Sequence, residues 1–82
     1  MHSFDIAASS DKPALYADLR SALDGLTADE PDPIANMANM AALLWEYLPD
    51  INWAGFYRAF DGELVLGPFQ GKTACIRIAM GA

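Results

Sequence analysis

Asp61 and Gly62 restrict the fold more than any other feature of the sequence, because they separate two apolar, aromatic-rich runs. An Asp-Gly pair is a strongly preferred two-residue β-hairpin turn, in which both residues take positive φ. The sequence therefore predicts a strand over residues 51–60 and an antiparallel strand over residues 63–66. In that register Phe60 lies opposite Glu63.

Both faces of this predicted hairpin carry large apolar side chains. Alternation along the strands gives two sets: Trp53, Tyr57, Leu64 and Leu66 on one face, and Phe56, Phe60 and Val65 on the other. Such a sheet is covered on both sides, or is covered on one side and holds a ligand on the other. Residues 67–71 are predicted as a tight loop, and residues 73–80 as a third strand.

A first amphipathic helix is predicted before the hairpin. Residues 9–11, Ser-Ser-Asp, followed by Pro13 are typical of a helix start, with a capping oxygen before a proline in the first turn. Leucines then recur at helical spacing, and Gly25 marks the predicted end.

A second helix is predicted between Asp32, its capping residue, and Pro49, which cannot continue it. Pro33 suits the first helical position. The predicted apolar stripe, broadened by Trp45, consists of Ile34, Met37, Ala41, Leu44 and Leu48. Two helices followed by an antiparallel meander predict an α+β fold.

The composition is more apolar than a chain of 82 residues can readily bury. Hydrophobic residues make up 54% and charged residues 20%, against about 25% charged in an average domain. A chain this short buries only roughly 60–65% of its unfolded surface. We therefore expect a further surface to cover it, and we expect the first strand, apolar on both faces, to lie in the middle of a larger sheet.

Charge excludes two classes of partner. The net charge of −6 argues against binding to nucleic acid or to an anionic membrane surface. No apolar run approaches the ~18 residues of a transmembrane helix, and the N-terminus lacks the features of a signal peptide. A single cysteine, Cys75, cannot form an intrachain disulfide, which predicts a cytoplasmic protein.

Few residues in the chain can carry chemistry. His2, the only histidine, lies in a predicted leader of residues 1–10, and one cysteine with one terminal histidine cannot form a zinc site. The triplet Gly71-Lys72-Thr73 is not a phosphate-binding loop, because position 66 is leucine where that motif needs glycine.

Cys75 is the remaining nucleophile. On the predicted third strand it shares a face with Thr73 and Arg77 and lies near Lys72, and these cations would favour its thiolate form. The alternative, and the commoner situation for a free cysteine, is a small buried apolar residue.

Trp53 and Tyr57 are the second candidate feature. They are four residues apart on one strand face with Gly55 between them, which predicts a gap between two aromatic walls. Such a gap suits a small apolar or soft cation-bearing ligand. The alternative is an aromatic sheet core beneath a helix, and the residues alone leave both interpretations open.

Three contiguous segments closely resemble the free methionine-(R)-sulfoxide reductases, which are GAF-fold enzymes. They are residues 51–57 (INWAGFY), 63–72 (ELVLGPFQGK) and 74–78 (ACIRI), and residues 36–45 are similar to the family's second helix. The resemblance implies that residues 11–82 form the N-terminal half of a GAF domain after the leader. Ala79-Met80 departs from the proline-aromatic pair expected there.

The resemblance also implies a reaction and a set of roles. A thiolate attacks the sulfoxide sulfur of free methionine-(R)-sulfoxide, a second cysteine captures the resulting sulfenic acid, and thioredoxin restores the thiols without any bound cofactor. Trp53 and Tyr57 match the aromatic walls of the substrate pocket, and Cys75 matches a resolving thiol. The attacking cysteine and the acidic residues that hold the substrate are expected beyond Ala82, so the 82-residue chain is expected to be inactive alone.

Two other functions fit the same pattern of helices and strands. One is a non-catalytic GAF module that binds a small ligand and regulates a partner. The other is an interaction protein that forms a homodimer through an open sheet edge.

Overall fold

The computed structural model describes residues 12–81, which form two helices followed by a three-stranded antiparallel sheet. The elements are α1 (Lys12–Thr27), α2 (Pro33–Tyr47), β1 (Trp53–Phe60), β2 (Glu63–Gly71) and β3 (Arg77–Ala79), and the sheet order is β1-β2-β3. The predicted α+β architecture is confirmed. The leader of residues 1–10 and the helix start at residues 9–11 lie outside the described residues, as does Ala82.

The helix boundaries follow local hydrogen bonding. Asp32 caps α2 as predicted, because its Oδ1 accepts from the amide of Ile34 at 2.8 Å and from that of Ala35 at 3.3 Å. The predicted end of α1 at Gly25 is wrong by two residues, since the helix continues to Thr27. There the hydroxyl of Thr27 donates to the carbonyl of Leu23 at 2.9 Å. A helix interior tolerates one glycine at a cost of about 1 kcal/mol.

The core between the helices differs in part from the predicted stripe. Leu15 and Leu19 of α1 pack against Leu43 of α2, and all three are buried. Leu43 was not in the predicted stripe, whereas Ile34, which was, is 45% exposed, and Trp45 is 41% exposed. α2 contacts α1 and also both long strands. α2 therefore buries one part of its surface against α1 and another part against the sheet, whereas a single apolar stripe describes a helix with one buried face.

The hairpin turn forms as predicted, and β1 begins at Trp53, two residues later than predicted. Asp61 and Gly62 have φ of 46° and 80°, and Phe60 pairs with Glu63. Positive φ at both central residues is the signature of a type I′ turn, whose twist matches that of the strands. The predicted faces are also confirmed by the pairing of Tyr57 with Leu66 and of Arg58 with Val65.

The tight loop predicted over residues 67–71 is wrong, because β2 continues to Gly71. The register shifts between Gly55 and Tyr57, where Gly67 and Pro68 of β2 oppose the single residue Phe56. This is a β-bulge, which tolerates a proline because the ladder is already interrupted there. The bulge turns Phe69 to the face of Tyr57 and places it opposite Gly55.

The third strand is shorter than the predicted 73–80, since β3 is Arg77–Ala79. It is held by main-chain pairing with residues 63–65 and by an ion pair of 2.7 Å between Arg77 Nη1 and Glu63 Oε2. Residues 72–76 leave the sheet and are named here the Cys75 loop. The carbonyls of Lys72 and Cys75 accept from side chains of β1 instead of from a neighbouring strand.

α2 covers one side of the sheet. Ala54 is the sheet's buried residue, at 8% exposure, and its partner Gln70 lines a shared groove with Trp45 of α2. The opposite side carries Trp53, Tyr57 and Phe69. Within residues 12–81, β1 pairs with β2 alone and its outer edge has no strand beside it. Over the same residues, neither helix is long and apolar enough to cross a membrane.

Candidate functional site

Three aromatic rings form a cluster on the side of the sheet away from α2. Trp53 stacks on Tyr57 with ring centroids 6.1 Å apart and on Phe69 with centroids 5.5 Å apart. The interplanar angles are 25° and 16°, so the rings lie nearly parallel. All three residues are half-buried, and their side chains therefore retain accessible apolar surface. We call Trp53, Tyr57 and Phe69 the aromatic cluster.

The gap predicted between Trp53 and Tyr57 does not exist as an empty slot. A Cβ placed on Gly55 would lie 2.4 Å from Phe69 Cβ and 2.8 Å from Trp53 Cη2. The glycine thus admits Phe69, which the bulge has turned onto this face. The prediction that Gly55 permits a close approach is correct, but the approaching group belongs to the chain itself.

Two side chains of the aromatic cluster donate hydrogen bonds to the Cys75 loop. Trp53 Nε1 donates to the carbonyl of Lys72 at 3.2 Å, and the Tyr57 hydroxyl donates to the carbonyl of Cys75 at 2.8 Å. The structure therefore brings together all three residues that the sequence analysis selected, Trp53, Tyr57 and Cys75. Their roles as substrate walls and resolving thiol stay predictions.

Cys75 itself has a different environment from the predicted one. It is free, exposed and in a loop, so both its placement on a strand and the alternative of a buried apolar residue are wrong. The strand face that it was expected to share with Thr73 and Arg77 is absent, because β3 begins at Arg77. The guanidinium of Arg77 bonds to Glu63, while Lys72 is exposed.

Other parts of residues 12–81 offer less chemistry. No group of three or more His, Cys, Asp or Glu side chains in this range could hold a metal ion. A groove of about 500 Å³ between α1 and α2 is mostly apolar and shares no residue with the aromatic cluster. Its lining includes Tyr16, Leu19, Leu23, Met40 and Leu44.

Phe69 is the residue that sequence reasoning missed. The Gly-Pro pair before it indicated a turn, and a turn would have removed Phe69 from the sheet. A proline inside an apolar run can also mark a bulge. Two signals were available for that second interpretation. They are the apolar pair Val65 and Leu66 before the proline, and the glycine at position 55.

Similar proteins of known name and structure indicate the family. The chain is 56% identical over 70 residues to the free methionine-R-sulfoxide reductase of Escherichia coli. The aligned residues cover 85% of this chain and 42% of that protein. It superposes on the free methionine-R-sulfoxide reductase of Neisseria meningitidis, solved in complex with its substrate, with a TM-score of 0.90 and 44% identity. That match covers 99% of this chain and 48% of the other.

A solved GAF domain is also similar, with a TM-score of 0.83 and 34% identity over 94% of this chain and 48% of that one. No protein-family model matches the chain. The chain spans about half the length of the curated relatives it matches, 50% of one and 46% and 42% of two others.

Proposed function

The chain is a member of the free methionine-R-sulfoxide reductase family of GAF fold by homology over about half the length of its relatives, and we propose that its aromatic cluster binds the methylsulfinyl end of free methionine-(R)-sulfoxide. The observation that carries this proposal is the position of the cluster. Trp53, Tyr57 and Phe69 stack on one sheet face, and two of them are bonded to the loop that holds the only cysteine. Binding and redox groups are therefore contiguous.

The chemistry of the cluster suits this substrate. The S-methyl group of the substrate is apolar and can pack on an aromatic ring, and the thioether sulfur of the methionine product gains about 0.3–1.5 kcal/mol beside one. Parallel rings with accessible apolar surface supply both contacts. The ammonium group of the amino acid needs a carboxylate partner, and on the family resemblance we propose that the acidic residues that hold the substrate lie outside the 82 residues.

Cys75 is proposed as the resolving thiol. An attacking thiol takes the oxygen of the sulfoxide, which releases the thioether and leaves a sulfenic acid on that cysteine. The Cys75 sulfur then attacks the sulfenic sulfur, a disulfide forms and water leaves. The dithiol of thioredoxin reduces this disulfide, so that one sulfoxide consumes two thiols and yields one water. The exposure of Cys75 supports access by both partners.

One cysteine cannot complete this cycle, and the 82-residue polypeptide is expected to be inactive alone. Mixed with free methionine-(R)-sulfoxide, thioredoxin, thioredoxin reductase and NADPH, it should consume no NADPH above the background. Addition of the portion of the Escherichia coli relative that the chain does not cover should restore turnover. A Cys75→Ser variant should lose that turnover, and turnover by the chain alone would contradict the assigned roles.

Binding is tested separately from turnover. The chain has two tryptophans, so its NMR spectrum contains two indole N–H signals, from Trp45 and Trp53. Free methionine-(R)-sulfoxide should shift the Trp53 signal and leave that of Trp45, which lies on α2, unchanged. A Trp45→Phe variant serves as the matched control for Trp53→Phe. No shift of the Trp53 signal at millimolar ligand would overturn the binding proposal.

A non-catalytic GAF module is the second candidate, because the chain also superposes on the solved GAF domain described above. Binding without turnover, even after the remaining portion of a relative is added, supports this module. Dimerisation through the outer edge of β1 stays a prediction that sedimentation equilibrium tests. The free thiol is compatible with a reducing compartment, and we propose the cytoplasm.

A further inference from the structure

The Cys75 loop is fixed at both ends by main-chain features. At its start Gly71 has φ of 124°, and a Cβ there would lie 2.9 Å from the carbonyl oxygen of Asn52. The close approach of main chain to main chain therefore fixes the position at which the chain leaves β2. At its end the Leu66 amide donates to the carbonyl of Ile76 at 2.9 Å.

Between these ends, side chains of β1 hold the loop. The bonds from Trp53 Nε1 to Lys72 and from the Tyr57 hydroxyl to Cys75 satisfy two carbonyls that strand pairing would otherwise have satisfied. The bond from Tyr57 acts on the residue that carries the thiol. At 2.8 Å it is the shorter of the two.

We propose that Tyr57 is a positioning residue for Cys75, in addition to its part in the aromatic cluster. This inference rests on the proposed function, because it concerns the thiol that resolves the sulfenic acid. The ring of Tyr57 contributes to the stacked surface, whereas its hydroxyl fixes the main chain at Cys75. One side chain thus ties the position of the binding surface to the position of the thiol.

Fixing the main chain at Cys75 matters because disulfide formation has strict geometry. The two sulfurs must come within bonding distance at a dihedral near 90°, with the Cβ atoms about 3.5–4.5 Å apart. A thiol on a loop with many conformations satisfies these conditions for only a fraction of the time. The Tyr57 hydroxyl raises that fraction and leaves the thiol exposed.

The experiment measures loop mobility directly. Cys75 is the only cysteine and is exposed, so a nitroxide methanethiosulfonate label attaches there alone and extends into solvent. Tyr57→Phe removes one oxygen and keeps the ring. Tyr16→Phe, at an exposed position of α1, removes the same atom from a surface away from the loop.

The ratio of mobile to immobile nitroxide in the electron paramagnetic resonance spectrum should rise roughly five-fold in Tyr57→Phe, as expected for loss of one neutral hydrogen bond. It should stay unchanged in Tyr16→Phe. Identical spectra for Tyr57→Phe and Tyr16→Phe, with circular dichroism showing both folded, would overturn the proposal. If Tyr57→Phe does not fold, the unsubstituted chain decides by NMR: exchange of the Tyr57 hydroxyl proton with water as fast as that of the Tyr16 hydroxyl proton would also overturn the proposal.

The spectra are recorded without substrate, so they are independent of the proposed binding. If the ligand does not shift the Trp53 indole signal but Tyr57→Phe still raises the nitroxide mobility, Tyr57 positions the loop and the proposal of sulfoxide binding fails. If the ligand shifts the Trp53 indole signal but Tyr57→Phe leaves the nitroxide mobility unchanged, the binding proposal stands and the positioning role of Tyr57 fails.

Discussion

Replacement of Gly55 by alanine should destabilise the chain far more than the addition of one methyl group suggests. The new Cβ would lie 2.4 Å from Phe69 Cβ, 2.8 Å from Trp53 Cη2 and 2.9 Å from Phe69 Cα. Real Cβ atoms essentially never approach another heavy atom this closely. The nearest group includes the main chain of β2, so a change of side-chain rotamer cannot relieve the clash.

The magnitude follows from what must move. Overpacking typically costs about 1–3 kcal/mol, and displacement of a paired strand belongs at the upper end, about 3 kcal/mol. A domain of this size has a free energy of unfolding of roughly 4–12 kcal/mol, from 0.05–0.15 kcal/mol per residue. With an m-value of about 1–1.5 kcal/mol/M, the urea midpoint should fall by about 2 M or more.

Urea unfolding followed by tryptophan fluorescence measures this change, with Gly25→Ala as the matched control. A Cβ on Gly25 meets nothing within 4 Å, and the residue lies inside α1. That substitution should therefore stabilise the chain by about 0.5–1 kcal/mol. The reasoning is refuted if Gly55→Ala unfolds at the same urea concentration as the unsubstituted chain, because Phe69 would then not occupy the space above Gly55.

Three further predictions concern the helices and the turn. Asp32→Ala removes the acceptor for two amides and should cost about 1 kcal/mol in thermal or urea unfolding, whereas Asp32→Asn should cost little. Gly62→Ala meets open space but has φ of 80°, so it should cost about 1–2 kcal/mol through backbone strain alone; an unchanged midpoint would contradict the turn geometry. Partial burial, and then the neighbouring carboxylate of Glu46, raise the pKa of Tyr47 above its ordinary value of 10.0. Because the neutral phenol is favoured in the folded state, this contribution to stability is present below pH 10 and is lost as the pH rises through the folded pKa. A Tyr47→Phe variant should lack that part of the alkaline loss, and the absorbance change at 295 nm that is missing from this variant should have its midpoint above pH 10.

Local signals predicted the parts of the fold that local interactions determine. The Asp-Gly turn fixed the register of the hairpin, and the Asp-Pro pair fixed the start of α2, because each acts within a few residues. The same holds for the side-chain faces of the hairpin, which follow from alternation. Trp53 and Tyr57 were found as a pair on this basis.

Except for the end of α1, where the Thr27 hydroxyl donates within the helix, the errors concern contacts between residues distant in sequence. The extension of β2 past Pro68 depends on pairing with β1, which outweighs the preference of Gly-Pro for a turn. Residues 73–76 were predicted as part of the third strand. However, the carbonyls of Lys72 and Cys75 accept hydrogen bonds from side chains that lie 19 and 18 residues away in the sequence. Leu43 is buried against Leu15 and Leu19 of α1, which lie 28 and 24 residues earlier in the chain. No window of a few residues contains that information.

The bulge at Gly67 and Pro68 makes the register of β2 as consequential as its composition. Two residues there face one across the ladder, so deletion of either would restore simple alternation and keep every residue that follows, up to Gly71, on its present side. Loss of the bulge without a deletion would instead pair Pro68 with Gly55, so that Phe69 would face α2 and Gln70 would lie beside Trp53. A substitution in this stretch changes one contact at a time, whereas a shift of the register by one residue reassigns the whole end of the strand.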